Sequence, residues 1–227
     1  MIIKLLINKL KLINDDGWIT SIFICTLTIF FLLPLIEINF IFCAFFAVGI
    51  LYEHIIEWLA HGWLQHYRCN IFSFFNKRHQ RHHENTLIHH ALQPISILIP
   101  AVCIILIPFI IMLFFVSNGL FKSISIGVIS GFLLAHIYLN LLHYDIHSVN
   151  KIFPVFFRNT WYYKRIYEEH INHHIEHENG IKYSKYRVYG ISNPWLDILL
   201  EKIGVSSMVD KLYPRFVEFL EDKFEKE

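Results

Sequence analysis

The sequence is poor in charge. Asp, Glu, Lys and Arg make up only 17% of its 227 residues, and 20 basic against 19 acidic side chains leave a formal net charge of +1. That balance argues against a nucleic-acid binder, which would carry a basic excess or stripe. Cysteine is scarce as well: Cys25, Cys43 and Cys103 sit in apolar runs, and Cys69 stands alone in a polar stretch. Without a C-x-x-C pair there is neither a zinc ribbon nor a thioredoxin-type motif, and the four read as small buried apolar residues. Nine Gly and seven Pro are too few for a low-complexity or disordered linker. No G-x-G-x-x-G motif and no haem-binding segment is present, which excludes a chain that carries its own nucleotide or haem reductant. What the sequence has instead is apolar length. Hydrophobic residues reach 55% and the mean hydropathy is +0.43, high for a soluble domain and suited to membrane spans. Histidine, at 15 residues, is the other excess.

Four runs are long and nearly uncharged. The first extends from Trp18 to about Ile36 and is kinked or ended by Pro34. The second extends from Ile38 to about Leu51 and continues into a polar helix with Glu53, His54 and Glu57. The third, Pro94 to Val116, has no charge, and the fourth runs from after Lys122 to Leu142 with His136 as its one group that titrates near neutral pH. As a helix the third run would be about 34 Å long, enough to span a bilayer core. Short connectors, Glu37–Asn39 and Ser117–Gly119, make two helical hairpins. The predicted fold is all-α: an integral membrane four-helix bundle with a cytoplasmic helical cap.

The basic residues give the orientation. The connectors hold no Lys or Arg, whereas Lys4, Lys9, Lys11, Arg68, Lys77, Arg78, Arg81 and much of the C-terminal tail flank the other side. The positive-inside rule places both termini and the 61–93 segment in the cytoplasm. Residues 1–17, with Ile3, Leu6, Leu10 and Ile13 among lysines, read as an amphipathic interfacial segment rather than a signal peptide. Residues 18–204 form the four-span domain, and 205–227 a surface helix and tail to which no function is assigned.

Ten histidines fall into four tight groups. His61 and His66 form H-x4-H; His79, His82 and His83 form H-x2-HH. His143 and His147 form H-x3-H; His170, His173 and His174 form a second H-x2-HH. All lie just outside the spans on the side expected to be cytoplasmic. On an α-helix residues i, i+3 and i+4 share a face, so each H-x2-HH group can present three imidazoles to one cavity. His61 and His66 differ by about 140° on that geometry and fit better as one ligand to each of two metals. Ten imidazoles over two ions is about five each, reasonable for six-coordinate iron with one open position.

The order of these boxes resembles that of the membrane fatty acid hydroxylase/sterol desaturase superfamily, most closely its fatty acid hydroxylase branch. Glu57-Trp58-Leu59-Ala60-His61 is similar to the family's lead into the first box. Asn179-Gly180 and Tyr189-Gly190-Ile191-Ser192-Asn193-Pro194-Trp195-Leu196-Asp197 are similar to its closing segment. Ile198-Leu199-Leu200-Glu201-Lys202 follows where the family ends in glycine-threonine. The resemblance covers about residues 48–200 and implies that the ten box histidines are the metal ligands of a catalytic di-iron centre. It implies use of O2, a lipid or fatty acyl substrate, and reducing equivalents from a separate electron-transfer protein. A recombinant sample can hold zinc instead, since zinc outranks ferrous iron for such ligands. Within the superfamily a carotenoid ring hydroxylase would be expected to space its third box H-x4-H, and desaturases of the wider class typically lack a separate third box. A histidine-rich metal transporter is the non-enzymatic alternative, though transporters place ligands near mid-membrane in broken helices.

Other residues carry weaker signals. Glu53 and Glu57 suit carboxylates that accept a ligand's second ring N–H, and His54 shares a helical face with His61. His89, His90 and His177 are candidate outer ligands, and His136 a hydrogen bond between helices. Lys77, Arg78, Arg81, Lys164 and Arg165 suit either an acidic electron carrier or lipid headgroups, or the positive-inside bias alone. Trp18, Trp161, Tyr162 and Tyr163 suit an aromatic belt.

Overall fold

The computed structural model describes residues 17–64, 79, 82, 83, 111, 119–149, 151–179 and 193–224. The N-terminal segment 1–16, the third apolar run apart from Ile111, and the 180–192 part of the closing segment lie outside the described residues, as do His66, His89, His90, Lys77, Arg78 and Arg81 and the side chain of His177. Among the described residues the structure is helical, with no strand. The helices are α1 (Gly17–Leu32), α2 (Phe40–Leu59), α3 (Gly119–His147), α4 (Val155–Arg158), α5 (Trp161–Asn179), α6 (Pro194–Lys202) and α7 (Val205–Phe224). Two of them are long and apolar enough to cross a membrane: α2 with its π-helical extension, Phe40–Trp63, and α3. At 29 residues, α3 is about 44 Å long, well beyond a hydrocarbon core of about 30 Å. α1 is shorter. It gives way to a 3-10 turn, Leu33–Leu35, because Pro34 has no N–H to continue the ladder.

The chain divides into two compact units, one ending at Ile56 and Tyr144 and the other beginning at Glu57 and Asp145. The first packs α1, α2 and α3. Cys25 and Leu32 of α1 meet Ile129, Phe132 and Leu133 of α3, with Tyr52 and Ile56 of α2 alongside. α2 and α3 touch backbone to backbone. A Cβ on Gly131 would stand 2.0 Å from the Phe46 carbonyl oxygen, and one on Gly49 would stand 2.3 Å from that of Val128. A Cβ on Gly127 would stand 2.8 Å from the Phe42 carbonyl oxygen, so Gly127-Val-Ile-Ser-Gly131 is a G-x-x-x-G face of the kind that draws membrane helices together. At this contact His136 Nδ1 lies 2.9 Å from Glu53 Oε1, both groups being 1% exposed. His136 is thus the interhelical hydrogen bond that the sequence suggested, and Glu53 is its partner. Asn140 donates to the His136 carbonyl one turn on.

The second unit is organised by Asp145, which is fully buried. Its Oδ1 accepts the backbone N–H groups of Ile152 and Phe153, and its Oδ2 accepts the Tyr163 hydroxyl at 2.5 Å. One carboxylate thereby folds the chain leaving α3 back onto the start of α5. Tyr163 is held protonated: burial raises its pKa and the bond to Asp145 raises it further. This corrects its assignment to an aromatic belt, since its ring is 5% exposed and its hydroxyl serves the interior. Lys151 closes the end of α3 by donating to the carbonyls of Asp145 and Ile146, a cation on the negative end of the helix dipole. α6 starts at Asn193, whose side chain accepts from the Leu196 N–H, with Pro194 at its first position. It stops at Gly204, the one described residue with positive φ. α7 packs on α6 and is tied to the first histidine box, since Trp63 Nε1 donates to Asp210 Oδ1 at 3.0 Å.

Candidate metal centre

Helical pitch brings the boxes together. His61 lies in the π-helical segment Ala60–Leu64 that follows α2, not in an α-helix as the sequence reading assumed. The segment ends at Leu64, so the 140° offset argued for His61 and His66 reaches outside the described residues. His79, His82 and His83 are helical. His143 and His147 occupy the last turns of α3, and His170, His173 and His174 the middle of α5.

Nine of the ten box histidines assemble into two groups. His82, His147, His170 and His174 form one, joined by His143 from one turn before His147 on the same face of α3; His61, His79, His83 and His173 form the other. Within each group the nearest ring nitrogens, one per residue, all lie within 4.8 Å of one another. The groups abut, with the His83 and His174 ring centroids 4.2 Å apart. The tenth histidine, His66, is among those not described. Each H-x2-HH box is divided the same way: its first and last members enter one group and its middle member the other. His79 and His83 go with His61, while His82 goes with His147; His170 and His174 go with His147, while His173 goes with His61.

The distances suit a cation better than hydrogen bonds. His170 Nε2 is 2.7 Å from His147 Nε2 and 3.1 Å from His174 Nε2. A ring nitrogen carries either one hydrogen or one in-plane lone pair, so it cannot satisfy two such neighbours. Lone pairs pointing at a common ion have no such conflict. Two nitrogens at right angles on an ion with bonds of about 2.1 Å sit about 3.0 Å apart, close to these values and to the 2.9 Å between His79 and His83. Among the described residues the donor set is all imidazole and mostly buried: His61, His79, His82, His83, His170 and His174 are each at most 3% exposed. Histidine-rich groups that can bind metal ions are therefore present.

No protein-family model, curated protein or solved structure matches this chain.

Carboxylates stand beside the groups rather than in them. Glu57, one turn before His61 and 2% exposed, places Oε1 3.5 Å from His61 Nδ1. That arrangement fixes a ligand ring and its tautomer. Replacing Glu57 by Gln is expected to weaken metal retention about 10–100-fold, read by competition with a chelator; retention equal to the parent would refute the orienting role. Glu53 instead serves His136, and His54 lies 3.9 Å from it. Of the basic residues singled out in the sequence, Arg165 pairs with Glu169. Sequence reasoning missed Asp145, Lys151, Trp63 and Asp210. Of these, Asp145 had a signal: it stands inside the third box, between His143 and His147.

Proposed function

We propose that the protein is a non-haem di-iron membrane monooxygenase that hydroxylates a fatty acyl chain or related lipid. The observation that carries this reading is the pair of abutting, buried all-imidazole groups, supported by the order of the histidine boxes. Two metals side by side in a carboxylate-poor sphere suit iron and redox work more than a structural zinc, which is satisfied by four closed ligands. Two iron ions held there would supply the activation of dioxygen that inserts one oxygen atom into an unactivated C–H bond. The balance is R–H plus O2, two electrons and two protons giving R–OH and water. The electrons come from a separate electron-transfer protein.

The residues supply placement. His82, His143, His147, His170 and His174 hold one ion and His61, His79, His83 and His173 the other, with His66 expected to join them. Glu57 orients His61, and Asp145 fixes the end of α3 on which His143 and His147 stand. The outward apolar faces of α1 and α2 and the connector between them fit lipid contact: Phe23, Phe30, Phe31, Ile38 and Phe40 are each 64% exposed or more, an expanse a monomer in water would not carry. On this reading the protein is a multi-pass membrane protein with both termini and the boxes in the cytoplasm, as the positive-inside bias suggests.

The test is product mass. Membranes holding the protein, supplied with reductant, iron and O2, should yield a lipid heavier by one oxygen atom, about 16 mass units with ordinary O2 and about 18 with oxygen-18 gas. A product two hydrogens lighter with no added oxygen would establish desaturation instead. No oxygen-dependent product from an iron-loaded sample across acyl, sterol and carotenoid substrates would refute the oxygenase reading.

A further inference from the structure

Where α3 ends and α5 begins, Lys151, Arg158, Asn159, Tyr163, Lys164 and Tyr167 surround a cavity of about 320 Å³. Three cations meet there against the exposed Glu168 on the same wall and the buried Asp145 behind Tyr163 and Lys151, which leaves a surplus of one positive charge. None of the three forms an ion pair with a carboxylate among the described residues. Lys151 spends two of its three N–H donors on the carbonyls that end α3, and its ammonium lies 5.7 Å from the centre of the Tyr167 ring. Arg158 donates Nε to the Phe153 carbonyl, which leaves the outer fork of its guanidinium for a ligand. The crowding has an electrostatic signature. Burial lowers the Lys151 pKa, Asp145 opposes that, and the Arg158 charge adds to the lowering. An oxyanion between them would relieve the repulsion and find the bidentate geometry that guanidinium offers to phosphate and carboxylate.

The surroundings indicate where such an anion comes from. Val149, Ile152, Val155, Phe156 and Trp161 interleave with these cations, and each is 47–85% exposed. Trp161 is stacked on Trp195 at 4.9 Å. Cations set among exposed aliphatic and tryptophan side chains are the composition of the headgroup level of a bilayer, whereas a site for a free anion in water needs no apolar apron.

We propose that this cavity is a binding site for the phosphate or carboxylate headgroup of an anionic lipid, held by Arg158, Lys151 and Lys164. Tyr163, Tyr167, His170 and His174 follow one another at i, i+4, i+7 and i+11 on α5 and share a face of that helix. A headgroup seated at Tyr167 thus lies on the face that carries the histidines, about 5 Å along the axis from His170. The inference deepens the lipid oxygenase reading and rests on it for the identity of the bound lipid as substrate, although headgroup binding needs neither iron nor O2.

The experiment is calorimetric titration of the full-length protein in detergent with dioctanoyl phosphatidic acid, dioctanoyl phosphatidylcholine and inorganic phosphate. Phosphatidic acid should bind the parent at least about tenfold more tightly than phosphatidylcholine, and Arg158→Gln or Lys164→Gln should each lose about tenfold, the value of one charge-assisted hydrogen bond. Arg158→Lys should recover part of the loss. Lys164 is exposed and makes no side-chain bond among the described residues, so its variant separates binding from folding; unchanged metal content checks the same point. Equal phosphatidic acid binding by parent and both variants would overturn the site. Inorganic phosphate binding as tightly as phosphatidic acid would overturn its assignment to lipid. Headgroup binding without an oxygenated product would count against the oxygenase alone, and product formation with binding indifferent to these substitutions would count against the cavity alone.

Discussion

Changing His173 to Ala is expected to lower the metal content from two ions toward one per chain and to abolish oxygenated product. His173 is one of four donors in its group, and its removal leaves three imidazoles on one side of an ion. Losing even a partner that only orients a ligand typically costs 10–100-fold in affinity or activity, so losing a ligand should exceed about 100-fold. The other group keeps its five donors, which is why one ion should remain. His147→Ala draws from the larger group and leaves four nitrogens there, so its metal content should fall less while its activity falls as far, because the proposed chemistry would need both ions. Metal analysis of purified protein and product mass read the two effects separately. Helix content should not change, since helices in a bilayer are held by their own backbone bonds rather than by imidazoles. Full metal occupancy and undiminished product in His173→Ala would refute the two-group centre.

Gly131→Leu should prevent α2 and α3 from packing. The Phe46 carbonyl oxygen lies 2.0 Å from the position a Cβ would take, and the Phe46 carbonyl carbon 2.9 Å away. Both are backbone atoms and cannot rotate aside, so the helices must separate. Overpacking in a core ordinarily costs about 1–3 kcal/mol. Here the separation would also pull Glu53 from His136, and breaking a buried charged or polar pair costs about 3–5 kcal/mol. The variant is expected to aggregate on extraction or to melt far below the parent in detergent. Gly119→Ala is the control: nothing lies within 4 Å of its Cβ position, and the change should stay within about 0.5 kcal/mol. A Gly131→Leu protein that melts with the parent would show that the close contact does not hold the pair together.

The sequence carried the all-helical character, the apolar lengths of α2 and α3 and the set of histidines, because those follow from composition and periodicity along single segments. It did not carry the sorting of the histidines. In H-x2-HH all three imidazoles share a face, and only the neighbouring helices decide that His173 joins His61 while His170 and His174 join His147. The π-helical geometry at His61 was also hidden, since an α-helical angle was the natural assumption for a segment continuing α2. Glu53 and His136 are 83 residues apart and were each noticed, but their pairing depends on the register that Gly49, Gly127 and Gly131 impose. That register had a readable sign in G-x-x-x-G, which a survey of charge and hydropathy passes over. Lys151 and Arg158 are isolated in sequence. They became partners only because Asp145 gathers the backbone between α3 and α5.

The division of each H-x2-HH box has a further consequence. One short stretch of helix serves both groups, so the spacing between two ions held there would be set by the pitch of the backbone, which tertiary looseness hardly alters. The helix acts as a ruler. It also links the occupancy of the two sites, because an ion seated on His170 and His174 immobilises the same turn that presents His173. A second ion would then meet a ligand whose freedom has already been lost, and filling would favour pairs, with singly loaded chains of the parent protein expected to be scarce at intermediate metal supply.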